Sequence, residues 1–197
     1  MNNRSVKTPL MPIEDLLRHL EDDFKIGYWD AEKEIVLAPN SPILAQRYRT
    51  LSPRDFETIR TGLNYDYVEF LSWYFTKHYK RTYTELFYIE SDDGSNHCFL
   101  YYEDAHGHHI VEPAGFLPIE GVVDKPTRRA CIEFVKNVFM SDKRGAKYVV
   151  IQYLPTGIYG VPLRQCMDEK WNIRLLADSN LTVKELSNNF NRFKFVL

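Results

Sequence analysis

The spacing of hydrophobic and polar residues changes at Arg81, and this change separates two kinds of predicted element. Before Arg81, apolar residues recur at three- and four-residue steps, which is typical of helices. After it, β-forming residues alternate with polar ones in TYTELFYIE and HCFLYYED, which predicts antiparallel strands joined by the turn SDDGSN. A helical part followed by antiparallel strands predicts the α+β fold class.

The stretch from Gly62 to Tyr79, GLNYDYVEFLSWYFTKHY, predicts a helix at the centre of the fold. Its apolar side chains occupy most of the circumference, so the helix has too little polar surface to lie on the outside. Asn64 is a residue type favoured at helix caps, and Asp66 and Glu69 stand in or near the first turn, where the helix dipole favours negative charge. We therefore expect a buried helix with Asn64 as the cap at its N-terminus.

The remaining patterns predict shorter elements around this helix. Pro12 opens a first helix, and Ser52 caps a short helix in which Pro53 takes the first position. The other predicted elements are short strands at Ile26 to Trp29 and Glu34 to Leu37, a hairpin tip in AHGHH, a third strand over Ile110 to Pro113, a Pro-rich bend in FLPIEGVVDKP, a helix from Thr127 to Met140, a strand in KYVVIQYL, a short helix in LRQCMDEKW, a strand in NIRLLAD, a capping box from Thr182 to Glu185 and a final edge strand in RFKFVL. We expect residues 1–10 to be loose and residues 11–197 to form a single domain.

Composition narrows the possible functions. The chain has 197 residues, of which 44% are hydrophobic and 26% charged, enough for one compact domain. The formal net charge is -2 and the basic residues are scattered, which argues against nucleic acid and anionic membranes as partners. The sequence MNNRSVKTPLMP lacks the apolar core of a signal peptide, and no stretch reaches the ~20 uncharged residues of a membrane span. We therefore expect a soluble protein.

Cysteine and histidine usage argues against a metal or disulfide framework. The three cysteines are widely spaced and include no CxxC pair, which favours a reducing, cytoplasmic setting. His106, His108 and His109 lie in the predicted hairpin tip, without the acid-and-histidine spacing typical of zinc sites. We interpret them as solvated histidines and predict no metal and no cofactor.

Three residues far apart in the chain have the chemistry of one site. Asn64 begins the central helix, His97 begins a predicted strand, and Glu112 ends the next strand before Pro113. A nucleophile at a helix N-terminus, a histidine base and a carboxylate that orients the imidazole form the arrangement that a thiol acyl transferase needs. A plain cap at Asn64 and a structural hydrogen bond between His97 and Glu112 explain the same residues without catalysis.

At these residues the chain resembles the transglutaminase-like superfamily of papain-like thiol enzymes, in particular its small bacterial and phage-borne members. In those proteins a G-V-C-W-D-Q-V-E segment precedes a long helix, followed by a histidine strand and a strand that ends in an acid. The matching pieces here are GLNYDYVE, HCFLYY and IVEP, and the similarity covers about residues 10–170. The resemblance implies a papain-like fold with a buried central helix packed on an antiparallel sheet. It places the family's cysteine, histidine and acid at Asn64, His97 and Glu112.

The departure at Asn64 decides the functional prediction. An amide neither ionises nor attacks a carbonyl, so no acyl-enzyme can form there. We therefore predict a non-catalytic domain, a pseudoenzyme that acts as a protein-binding or structural module. Its partners would be proteins or a larger assembly, including a phage virion if the chain is phage-encoded.

Two other functions fit the sequence. One is an enzyme, either a thiol-dependent peptidase or acyl transferase using Cys98, or a cleft repurposed for chemistry led by His97. Against the first form, neighbouring strand residues face opposite sides of a sheet, so we expect the Cys98 thiol to point away from His97 into the core. The other is a plain assembly protein whose cleft has no role. The candidate binding residues are Tyr65, Asp66, Tyr101, Tyr102, Tyr153 and Tyr159.

Overall fold

A computed structural model of the protein describes residues 11–30, 33–35, 47–79, 82–112, 115–119, 121–154, 157–163, 174–182 and 184–185. Its helices are α1 (Ile13–Asp23), α2 (Pro53–Ile59), α3 (Asn64–His78) and α4 (Arg128–Phe139). Its strands are β1 (Lys25–Ile26), β2 (Tyr28–Asp30), β3 (Lys33–Ile35), β4 (Thr61–Gly62), β5 (Tyr83–Ser91), β6 (Asn96–Asp104), β7 (Gly107–Val111), β8 (Val122–Lys125), β9 (Tyr148–Tyr153) and β10 (Arg174–Ser179). None of the helices in these ranges is long and apolar enough to cross a bilayer.

The main sheet has six strands in the order β10-β9-β5-β6-β7-β8, and every neighbouring pair is antiparallel. This confirms the predicted α+β class. Two small pairs accompany the sheet, β1 with β4 and β2 with β3. Residues 1–10, the short helix predicted in LRQCMDEKW and the edge strand predicted in RFKFVL lie outside the described residues.

Alternate residues of the long strands enter two separate hydrophobic clusters. On one face, Leu86, Tyr88, Cys98, Leu100 and Tyr102 pack with the apolar residues of α3. On the other face, the residues between them in sequence pack with α4; they are Phe87, Ile89, Phe99 and Tyr101. The sheet is therefore covered on both faces, since the period-two pattern of the strands carries apolar residues to each side.

Helix α3 is the buried helix that its sequence predicts. Nine of its fifteen residues are buried, among them Tyr67, Phe70 and Phe75. It packs against β5 and β6 on the sheet and against α2 on its outer side. Its start differs from the prediction by one position, because Leu63 takes the cap position and Asn64 is the first helical residue.

Two of the three predicted side-chain caps form, at Ser52 and at Thr182, whereas Asn64 is not a cap. The Ser52 hydroxyl accepts a hydrogen bond from the Asp55 N–H at 3.1 Å, and Pro53 follows as the first residue of α2. Thr127, predicted as the first residue of a helix, instead caps α4 by accepting a hydrogen bond from the Ala130 N–H. Glu185 N–H donates to the Thr182 hydroxyl at 3.3 Å, and the Thr182 N–H donates back to Glu185 at 2.8 Å, as in a capping box.

The region after β6 differs most from the prediction. The hairpin turn closes at Asp104 and Gly107, so β7 begins three residues earlier than predicted and takes in His108 and His109. His109 is not solvated: it is 6% exposed and stacks on Tyr102. Its two ring nitrogens lie 2.6 Å from an Asp124 oxygen and 3.0 Å from an Asp104 oxygen. Strand β8 occupies part of the predicted bend, because its pairing partner β7 is set by the sheet and not by local sequence.

Gly62 is required by close packing at the start of α3. A Cβ atom at this position would lie 2.7 Å from a ring carbon of Phe56 and 2.8 Å from a carboxylate oxygen of Asp66. Both neighbours are fully buried, so an added methyl group would force packed side chains to shift. We expect Gly62→Ala to lower the free energy of unfolding by about 1–3 kcal/mol, measured by urea titration.

The matched control is the pair of variants Phe56→Leu and Gly62→Ala/Phe56→Leu. The smaller side chain makes room for the added methyl group, so the double variant should be more stable than the sum of the two single effects predicts. Strictly additive effects would show that the contact between the added methyl group and the Phe56 ring does not cause the loss of stability.

Candidate functional site

The N-terminus of α3 is held in place by the carboxylate of Asp66. This side chain accepts hydrogen bonds from the Leu63 N–H at 2.9 Å and from the Leu51 N–H at 2.8 Å. The first satisfies a donor that the helix leaves without a partner, and the second ties the preceding segment to the helix. Position 64 is thereby fixed at the first turn of the helix.

Asn64 contacts the imidazole of His97. The Asn64 side-chain nitrogen lies 2.9 Å from His97 Nδ1, although the two residues are 33 positions apart. An amide nitrogen donates and does not accept, so Nδ1 is the acceptor and the ring proton is on Nε2. His97 sits near the start of β6, opposite Ile89 of β5.

Glu112 lies on the other side of the imidazole. It follows the last residue of β7, and the pairing of Val111 with Leu100 brings it beside the start of β6. Its Oε1 is 3.6 Å from His97 Nε2. The structure thus brings Asn64, His97 and Glu112 together in the order nucleophile position, imidazole, carboxyl; we call them the triad site.

The triad site is uncharged at neutral pH. Burial raises the pKa of Glu112 to about 8, against the opposing effect of the nearby N–H groups of residues 115–117. These N–H groups lie near the Glu112 carboxyl but not in ordinary hydrogen-bonding geometry. Neither carboxyl oxygen of Glu112 therefore has a hydrogen-bond partner. Burial also lowers the pKa of His97 to about 3. Glu112 is therefore protonated and His97 neutral near pH 7.

This geometry holds a base and an acid but no nucleophile. The lone pair on His97 Nδ1, which would take the proton of a thiol, is occupied by the Asn64 amide. The amide itself has no proton that a histidine could remove. The arrangement joins α3 to β6 through one hydrogen bond, and position 64 offers no nucleophile for acyl transfer.

Cys98 belongs to the core and not to the triad site. It is fully buried in the cluster between α3 and the sheet, opposite Tyr88 and beside the Tyr153 side chain. This agrees with the expectation that Cys98 is a small core residue. Acylation at this thiol would require a substrate to enter the packed layer between helix and sheet.

Sequence reasoning missed two buried acids on α3, the helix that Asn64 begins. Glu69 follows Asp66 by three positions on α3, and both are at most 1% exposed. Burial raises the pKa of Asp66 to about 7 and that of Glu69 to about 8. Tyr65 lies within hydrogen-bonding range of Glu69 and partly opposes that rise. The sequence did contain a signal for these acids. They belong to a helix whose apolar residues occupy most of its circumference, so the helix has no solvent-exposed face on which they could lie.

The aromatic residues predicted to bind partners lie mostly inside the protein. Tyr65 and Tyr153 stack on each other with ring centroids 6.1 Å apart, and both are buried. Asp66, Tyr101 and Tyr102 are buried as well, and Tyr159 alone of the candidates is partly exposed. The interior position of these residues corrects the prediction, because a recognition surface must be open to the partner.

Comparisons with known proteins found no matching family model, curated protein or solved structure. Among the residues described, no group of three side chains is placed to hold a metal ion. The functional proposal therefore depends on the geometry of the triad site.

Proposed function

We propose that this protein is a non-catalytic domain of the transglutaminase-like type that acts as a protein-binding or structural module. One observation carries the proposal: the Asn64 amide lies 2.9 Å from His97 Nδ1, while Glu112 lies 3.6 Å from His97 Nε2. A thiol enzyme needs this order of groups, with a thiol in place of the amide.

The positions of the three residues in the fold support the same proposal. Asn64 is the first residue of a buried helix, and that helix packs on the two neighbouring antiparallel strands β5 and β6. His97 is on β6, and Glu112 directly follows β7. A papain-like arrangement has these parts, and the resemblance of the sequence to phage-borne proteins favours a larger assembly, such as a virion, as the setting.

Restoring the thiol tests the proposal most directly. In Asn64→Cys, the helix terminus favours a thiolate, and a thiolate would raise the pKa of the adjacent His97 above the value of about 3 that it has beside the amide. Transfer of the thiol proton to His97 should then lower the pKa of the new thiol below the value of about 8.5 of an ordinary cysteine. We expect iodoacetamide to modify position 64 at pH 6.5 at least about tenfold faster than it modifies the natural cysteines, as followed by peptide mass spectrometry.

The control is Asn64→Cys combined with His97→Ala, which keeps the helix terminus and removes the imidazole. Its thiol should be less reactive and should titrate at higher pH than the thiol of the single variant. If the thiol of Asn64→Cys titrates near about 8.5 whether or not His97 is present, the triad site is a chance arrangement.

The wild-type protein separates the proposal from an enzyme that uses Cys98. After incubation with p-nitrophenyl acetate, none of the cysteines should be acetylated, and the intact mass of the protein should be unchanged. Rapid acetylation of Cys98, located by peptide mapping, would favour the enzyme and contradict the non-catalytic module.

A further inference from the structure

The connection between β7 and β8 is longer than the two strands need. Val111 pairs directly with Val122, so the residues between them, 112–121, are ten in all. Antiparallel neighbours are commonly joined by about 2–5 residues. The described part of the excess, residues 115–119, folds back over the triad site, and we call it the strap.

The strap covers the buried end of the triad site. The ring of Phe116 is 6.5 Å from the ring of His97 and 5.8 Å from the ring of Tyr67 on α3. The backbone N–H groups of residues 115–117 face the Glu112 carboxyl. His97 is 3% and Glu112 2% exposed, whereas Asn64, at the other end of the site, is partly exposed.

The contacts of the strap are weaker on the side of the triad site than on the opposite side. Phe116 is only half-buried, and the N–H groups that face Glu112 do not form ordinary hydrogen bonds with it. Ile119 is 5% exposed and packs in the cluster beneath α4. Segments with few strong contacts open at low free energy, so the end of the strap at Phe116 is the part that can leave its place.

Gly115 is the first residue of the strap, and Gly121 lies two residues beyond its end. Gly115 has a φ of 64° and Gly121 a φ of 59°, a region that other residues adopt at a cost. A Cβ atom at either position would meet no other atom within 4 Å. These glycines therefore serve backbone conformation and not close packing, as at positions where a chain reverses or turns.

We propose that residues 115–119 act as a strap that closes the triad site, and that its Phe116 end opens to admit a protein partner while Ile119 stays packed beneath α4. The inference rests on the proposed function for its purpose, since a partner is what an opened site would receive. Its test measures access to His97, and so is independent of the reactivity of a thiol at position 64.

Diethyl pyrocarbonate, which acylates neutral imidazole, measures this access. In the wild-type protein, His97 should react at least about tenfold more slowly than the exposed His106, as followed by peptide mass spectrometry. In Phe116→Ala, the reaction at His97 should accelerate at least about tenfold while that of His106 is unchanged.

Phe134→Ala is the matched control. Phe134 is also half-buried, but it lies on α4 in the other core cluster. This variant loses the same atoms and should leave the rate at His97 unchanged. The proposal would be overturned if His97 stayed protected in Phe116→Ala, or if its reaction accelerated equally in both variants.

A second measurement uses only the wild-type protein and applies even if Phe116→Ala does not fold. Opening of a strap exposes little surface, so the rate at His97 should be nearly independent of urea well below the unfolding transition. A rate that rises with urea as steeply as global unfolding would show that His97 is reached by unfolding alone, and this result would overturn the strap.

Discussion

The protein should be more stable to urea at pH 5 than at pH 8. Burial raises the pKa of Asp66 to about 7 and those of Glu69 and Glu112 to about 8, from ordinary values of 3.8, 4.5 and 4.5. Between its unfolded and folded pKa values, such an acid is protonated in the folded state and ionised in the unfolded state. Unfolding then releases a proton, so unfolding becomes more favourable as the pH rises.

His97 acts in the opposite direction over a lower range. Burial lowers its pKa from 6.5 to about 3, so between these values the unfolded state binds the extra proton, and falling pH favours unfolding. Three acids oppose one histidine between about pH 5 and 6.5, and above 6.5 the acids act alone. The free energy of unfolding should therefore fall by at least about 2 kcal/mol between pH 5 and pH 8.

Urea titrations followed by circular dichroism at pH 5, 6.5 and 8 measure this effect. Glu69→Gln keeps the shape of the side chain and removes its titration, so the decline towards pH 8 should become shallower. Glu133→Gln changes a surface glutamate paired with Arg129 and should leave the decline unaltered. An unfolding midpoint that increases from pH 5 to pH 8 would contradict the raised pKa values of the buried acids Asp66, Glu69 and Glu112.

The largest single loss of stability is expected for Asp66→Ala. The variant leaves the part-buried N–H groups of Leu51 and Leu63 without the acceptor that the fully buried Asp66 provides. It also frees the segment around Thr50, whose backbone exchanges hydrogen bonds with residues 160 and 161. We expect a decrease of about 2–5 kcal/mol in the free energy of unfolding.

Urea titration at pH 6 measures the decrease, with Asp55→Ala as the control. Asp55 is likewise an acid in the first turn of a helix, but it is exposed, and its removal should cost about 1 kcal/mol or less. Equal losses in the two variants would mean that the buried hydrogen bonds of Asp66 contribute nothing beyond ordinary capping. Hydrogen exchange at Leu51 and Leu63 would locate the effect, since both amides should lose protection in Asp66→Ala.

These two predictions share a physical origin with the proposed function. The start of α3 combines a helix terminus with buried polar groups, and a core of apolar side chains would be more stable there. Buried polar groups of this kind are expected where a site has, or once had, a chemical role. In this protein the Asn64 amide joins α3 to β6 through its hydrogen bond with His97.

Much of the fold follows from local patterns in the sequence. Pro53 after Ser52 begins α2, Thr127 caps α4, and the alternation in β5 and β6 assigns their residues to two faces, because these features involve residues only a few positions apart. The burial of α3 follows in the same way from a helix that has no polar side. The grouping of Asn64, His97 and Glu112 was predicted from their residue types, from their places at the ends of elements and from the resemblance to thiol enzymes.

The tertiary structure decided which of these residues meet and which are enclosed. The contact between Asn64 and His97 depends on how α3 packs on the sheet, and the position of Glu112 depends on the register of β7 with β6. The same packing buried aromatic residues that the sequence assigned to a surface and gave His109 two carboxylate partners. Periodicity along a chain states which face a residue takes, but burial and pairing depend on what another segment places against that face, and only the assembled fold contains that information.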